Sequence, residues 1–103
     1  MALFAVTYEY TDAPRQRDAR RPEHVAFLSG LHESGRLVVS GPADGGTRAL
    51  LVFSGESTDD VAALLDDDPF CREGLIARRT VSAWSPFFGK ERLDPAPAEE
   101  PAR

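Results

Sequence analysis

Residues 2–10 alternate two sets of side chains, Phe4, Val6, Tyr8 and Tyr10 against Leu3, Ala5, Thr7 and Glu9, which is the two-residue period of a β-strand. Residues 11–21 are polar and carry Pro14, so they predict a loop with room for a short turn of helix. A helix is expected over residues 22–34, opened by Pro22 and ended by Gly35. Its apolar stripe is Phe27, Leu28 and Leu31, and His24 falls in the middle of that stripe, with Val25 and His32 towards one margin. Residues 36–40 and 48–54 read as two strands of a hairpin around a turn at 41–46, Gly-Pro-Ala-Asp-Gly-Gly.

Ser57 is placed to cap a second helix by accepting the N–H of Asp60, and Val61, Ala62, Leu64 and Leu65 supply its buried side. That helix must stop before Pro69. Residues 70–74 fit one short turn closed by Gly74, and residues 75–87 read as a long last strand whose Pro86 belongs at a sheet edge or outside it. From Gly89 onward the chain has no apolar period, and Asp-Pro-Ala-Pro-Ala-Glu-Glu-Pro cannot bury enough surface to offset its entropy. Residues 1–88 are therefore expected to form the domain and residues 89–103 a disordered tail.

The order strand, helix, strand, strand, helix, strand is the split βαβ arrangement of an α+β, ferredoxin-like fold, βαββαβ, with two helices over one face of a four-stranded antiparallel sheet. The strands carry apolar residues on both faces, for example Leu51 and Phe53 against Leu50 and Val52, where a sheet with one wet face should alternate. The second face is expected to pack on the same face of another copy, giving a homodimer through sheet faces.

Composition narrows the function classes. A net charge of -5 and the lack of a basic cluster interleaved with aromatics argue against nucleic acid as a partner. No apolar run approaches the roughly 20 residues that cross a bilayer, so no membrane association is expected. The opening Met-Ala-Leu-Phe-Ala-Val has no basic region or cleavage site, and the single cysteine, Cys71, excludes an internal disulfide; both point to the cytoplasm.

Candidate chemistry is concentrated in two places. His24 is either a core histidine satisfied by a backbone carbonyl or a base whose ring must be held in one tautomer. Asp66, Asp67 and Asp68 end the second helix, where the helix dipole disfavours negative charge. Asp66 and Asp67 read as a solvated helix end. Asp68 precedes Pro69 and is followed by Phe70, which sets its carboxylate at a turn beside apolar sequence, where it could accept an imidazole N–H. Two histidines eight positions apart form no recognised metal-ligand set, and the glycines at 41–46 lack the Lys-Ser or Lys-Thr of a phosphate loop, so neither a metal nor an organic cofactor is expected. Trp84, Phe87 and Phe88 belong in the core, an interface or a pocket wall.

At these residues the chain resembles the YciI-like family, which is related to the dimeric α+β barrels. The matching words are Arg21-Pro22-x-His24, His32-x-x-Gly35-Arg36-Leu37, Ser40-Gly41-Pro42, and Asp68-Pro69-Phe70 with Gly74. The resemblance spans residues 2 to about 88 and implies a ferredoxin-like subunit, dimerisation into an α+β barrel, and a His-Asp active site carried here by His24 and Asp68. A family member dehydrochlorinates a chlorinated hydroxyquinol, so the resemblance favours elimination or isomerisation without a cofactor. Arg21, Ser40 and, more weakly, Tyr8 are the candidate contacts to a small-molecule ligand. Two other readings stay open: a non-catalytic ligand-binding or accessory module in which His24 and Asp68 form a structural hydrogen bond, and a structural dimer that partners another protein.

Overall fold

The computed structural model describes residues 2–93. The first strand, β1 (Ala2–Tyr10), leads into a 20-residue helix, α1 (Pro14–Glu33), then the hairpin β2 (Leu37–Ala43) and β3 (Arg48–Gly55). A second helix, α2 (Thr58–Leu65), a single turn, α3 (Pro69–Arg72), and β4 (Ile76–Trp84) complete the domain. The four strands form one antiparallel sheet in the order β2-β3-β1-β4, the ferredoxin-like arrangement that the element order predicts. No described helix is long and apolar enough to cross a membrane.

Three boundaries differ from the sequence expectation. The helix α1 starts at Pro14, eight residues before Pro22, which therefore lies inside it without the N–H that an interior residue would donate to the preceding turn. Pro22 is exposed, and contacts outside the helix hold the polar first half: Arg17 donates to the Thr11 carbonyl at 2.6 Å and lies 4.8 Å from the Tyr10 ring centre, and Arg20 approaches the distant Glu73 at 3.7 Å. Strand β2 runs on through Gly41, Pro42 and Ala43, paired with Leu50, Ala49 and Arg48, so the hairpin turn shrinks to a 3-10 turn at Asp44–Gly46. An edge strand has one unpaired side, and there Pro42 costs no ladder bond. The last strand stops at Trp84, three residues short of Phe87.

The core lies between the sheet and the helices. Phe4, Val6 and Tyr8 of β1 face Phe53, Leu51 and Ala49 of β3, and Val61 and Leu65 of α2 close over them. From α1, Leu28 and Leu31 pack on this cluster while His24 is the one residue of the helix classed as buried. Ser57 caps α2 as expected, accepting the Asp60 N–H at 3.0 Å. Trp84 is 40% exposed, and Phe87 and Phe88 are 82% and 92% exposed, stacked edge-to-face on each other, so neither phenylalanine enters the core. A 3-10 turn at Lys90–Arg92 follows, so the expected disordered tail begins with local structure; its residues 94–103 lie outside the described part.

Gly55, at the junction of β3 and α2, has no room for a side chain. A Cβ there would stand 2.8 Å from Asp60 Oδ2 and 2.9 Å from Val61 Cγ2. Asp60 Oδ2 is fixed by Arg36 Nη2 and the Glu56 N–H, both at 2.9 Å, and Val61 is fully buried. Gly55→Ala should therefore destabilise the domain by about 1–3 kcal/mol through overpacking, read as a lower midpoint in urea unfolding with an unchanged slope.

Candidate active site

The short α3 turn determines where the acidic group lies. Asp68 precedes Pro69, adopts extended geometry (φ -65°, ψ 127°) and caps the turn by accepting the Phe70 N–H on Oδ1 at 2.9 Å. This turns the carboxylate inward, where it is completely buried. Tyr8, near the C-terminal end of β1, donates its hydroxyl to Asp68 Oδ2 at 2.9 Å. His24, on the inner face of α1, brings Nδ1 to 2.8 Å from Oδ1 and 3.1 Å from Oδ2.

A carboxylate only accepts hydrogen bonds, so the imidazole nitrogen facing it is the N–H and the lone pair of the neutral ring is on Nε2. The Phe70 ring stacks on the imidazole, with centroids 3.9 Å apart and planes 5° from parallel, and Tyr10 meets Phe70 edge-on at 5.6 Å. The ring is thus held in its plane by Phe70 and in its rotation by Asp68.

His24 lines a cavity of about 640 Å³ between α1 and the β2 side of the sheet. Leu28, Leu37, Leu51 and Pro42 make much of its wall apolar, while Arg21, Ser29, His32 and Ser40 bring polar groups to it. A mostly apolar concavity with a few convergent polar groups suits a small organic molecule. Nε2 of His24 makes no hydrogen bond within the described residues, and the residue lines the cavity.

The two residues singled out as a dyad, His24 and Asp68, are thus brought together. Arg21 and Ser40 both stand on the cavity wall; Arg21 is also paired with Asp18 at 2.8 Å. Tyr8 also borders the cavity, but its hydroxyl is committed to Asp68. Sequence reasoning overlooked the stacking of Phe70, whose signal was its position two residues after Asp68, and the wall formed by Gly41 and Pro42, which it assigned to a turn. Asp66 and Asp67 form exposed ion pairs with Arg79 and Arg72.

The family is now identified by comparison as well as by geometry. The site is a histidine-carboxylate pair on a ferredoxin-like sheet, and residues 1–85 match the YCII-related domain family; the chain belongs to that family. It is 30% identical over 87 residues to Protein YciI of Escherichia coli O6:H1 and, equally, of Shigella flexneri, an overlap covering 75% of this chain and 89% of each relative. Its structure is similar to that of 5-chloro-2-hydroxyhydroquinone dehydrochlorinase (TftG) from Burkholderia phenoliruptrix, solved in complex with 2,5-dihydroxybenzoquinone. The TM-score is 0.70 at 27% identity, over 81% of this chain and 93% of that one. A protein of Agrobacterium tumefaciens, 18% identical with a TM-score of 0.54 over 86% of this chain and 96% of its own, shares the fold.

The site also determines how the phenols titrate. Burial, then the neighbouring Asp68 charge, push Tyr8 far above the ordinary value of 10.0. Tyr10 is raised by burial and by Asp68, partly offset by Arg17 and Arg21. As pH rises past 10 the phenols of the unfolded chain ionise first, so the unfolded state binds fewer protons and the fold loses stability. Urea midpoints should accordingly fall above pH 10 in the wild type and fall less steeply in Tyr8→Phe, with no phenolate absorbance from Tyr8 until the protein unfolds.

Proposed function

We propose that the protein is a small-molecule enzyme working by acid–base chemistry, in which His24 moves a proton of a partly apolar, hydroxylated aromatic or enol-type compound bound between α1 and β2. The observation that carries this reading is the pairing of His24 Nδ1 with a buried carboxylate while the same ring lines a cavity of about 640 Å³. Nε2 accepts a proton from an acidic C–H or O–H of the ligand, and Asp68 stabilises the imidazolium so formed. In an isomerisation the proton returns to a different atom. In an elimination the electron pair of the broken C–H or O–H bond forms the new π bond as the leaving group departs with its own pair, and His24 then gives the proton to solvent, which restores the neutral ring. Neither route calls for a metal or an organic cofactor.

Arg21 and Ser40 are the residues of the wall that would contact the ligand's oxygens, and Tyr8 would act through Asp68. The likeness to a dehydrochlorinase bound to 2,5-dihydroxybenzoquinone supports both the ligand class and the reaction type. The same quinone provides the test. In deuterated buffer, the wild type should bind it and accelerate exchange of its ring C–H protons, followed by proton NMR. His24→Asn should keep the fold and lose about 10²–10⁴-fold of that acceleration. A wild type that binds the quinone without accelerating exchange would instead be a ligand-binding module, and a His24→Asn chain that fails to fold would make the His24–Asp68 pair structural.

The partner is a second copy of the chain. On the sheet face away from the helices, Leu3, Ala5, Leu50 and Trp84 present apolar side chains, with Leu50 50% and Trp84 40% exposed, and Val39 of the edge strand, 47% exposed, borders the cavity as well. A two-fold dimer is the arrangement in which one such face covers its own equivalent. Leu50→Asp should convert a dimer of the wild type to monomer in light-scattering chromatography; a wild type that is already monomeric at micromolar concentration would remove this partner.

A further inference from the structure

The cavity continues well beyond His24. His32 also lines it, eight residues further along α1 and hence about 12 Å down the helix axis. A second pocket, of about 260 Å³, shares His32, Leu37, Val38 and Val39 with the first, so the two spaces adjoin along the start of β2. Its other walls are Gly35 and two residues that follow β4, Arg92 and Leu93.

Both spaces have mostly apolar walls, and the smaller second one is lined by both His32 and Arg92. His32 Nδ1 lies 3.1 Å from the Leu37 carbonyl oxygen, which can only accept, so Nδ1 is an N–H and the exchangeable position is Nε2. With Nδ1 committed to that carbonyl, Nε2 is the ring nitrogen left to bond a ligand oxygen. Arg92 forms no ion pair with any described carboxylate, in contrast to Arg21, which Asp18 already holds. A guanidinium and an imidazole facing one small space match the two oxygens of a carboxylate.

We propose that the ligand of this site has two parts: a hydroxylated ring or enol body against His24, and a short arm that passes His32 and places a carboxylate in the second pocket between His32 and Arg92. The body rests on the acid–base reading above; the arm concerns binding alone. A substrate of this class is a hydroxylated aromatic or enolic acid with its carboxylate one or two carbons from the ring.

Calorimetric titration with a matched pair of probes tests it: 2,5-dihydroxyphenylacetate and its uncharged counterpart, methylhydroquinone. The carboxylate should bind the wild type about tenfold more tightly. Arg92→Met should remove that preference and leave methylhydroquinone unchanged, while Arg92→Lys should keep part of it. Arg92 is exposed on a terminal turn, so both variants should fold, which circular dichroism checks. Equal affinity for the two probes, no measurable binding of the carboxylate, or an Arg92→Met chain that still prefers it would each overturn the arm. Failure of His24→Asn to slow proton exchange would sink the acid–base reading while leaving the carboxylate preference standing, so the two can fail separately.

Discussion

The buried carboxylate of Asp68 is the group on which the rest of the site depends. A charge taken out of water is tolerated only when hydrogen bonds replace its hydration, and Asp68 receives its bonds from three separate elements: the Phe70 N–H of α3, the Tyr8 hydroxyl of β1 and Nδ1 of His24 on α1. Each donor fixes a different degree of freedom. The α3 turn aims the carboxylate inward, the central strand anchors it to the sheet, and the helix presents the imidazole. Removing any one would leave a buried acceptor short of a partner, so the geometry of the histidine and the docking of α1 on the sheet are parts of one arrangement.

That arrangement explains why a mostly apolar helix stripe carries an imidazole. His24 is held in place as well as buried: Phe70 covers one face of its ring, Asp68 holds one nitrogen, and the residue lines the cavity. Tyr8, although it borders the cavity, is spent on orienting the acid. Its strongly raised titration reflects burial first and the charge of Asp68 second, a sign that the neutral phenol, as donor, is the form the fold requires.

The two faces of the sheet are covered differently. Helices α1 and α2 cover one face, and the space left between α1 and the edge strand β2 is the cavity. An edge strand can accommodate Pro42 without losing a ladder bond, and its continuation past Ser40 lengthens the cavity wall. The opposite face carries the uncovered apolar residues. One strand order thus places the cavity and the uncovered apolar face on opposite sides of the sheet, with Val39 of the edge strand bordering the cavity.

Local patterns in the chain determined the elements and their order. Alternation marked β1, the Ser57 hydroxyl marked the start of α2, Gly35 and Gly74 marked ends, and the displacement of His24 into an apolar stripe and of Asp68 to the residue before Pro69 marked the buried histidine-carboxylate pair. These are signals of period, capping and backbone restriction, which act within a few residues. The early start of α1 was not legible, because its polar first half has no apolar period and is held by Arg17 on Thr11 and Tyr10 and by Arg20 near Glu73. Nor was the fate of Tyr8, of Phe70 as the platform for the imidazole, or of Phe87 and Phe88 outside the core. His24 and Asp68 lie 44 residues apart, and whether they meet depends on how α1 and α3 dock on β1. Docking is a sum over many contacts between distant segments, and no short stretch of sequence contains it; that sum, completed only in the tertiary structure, turned two suggestive residues into a site.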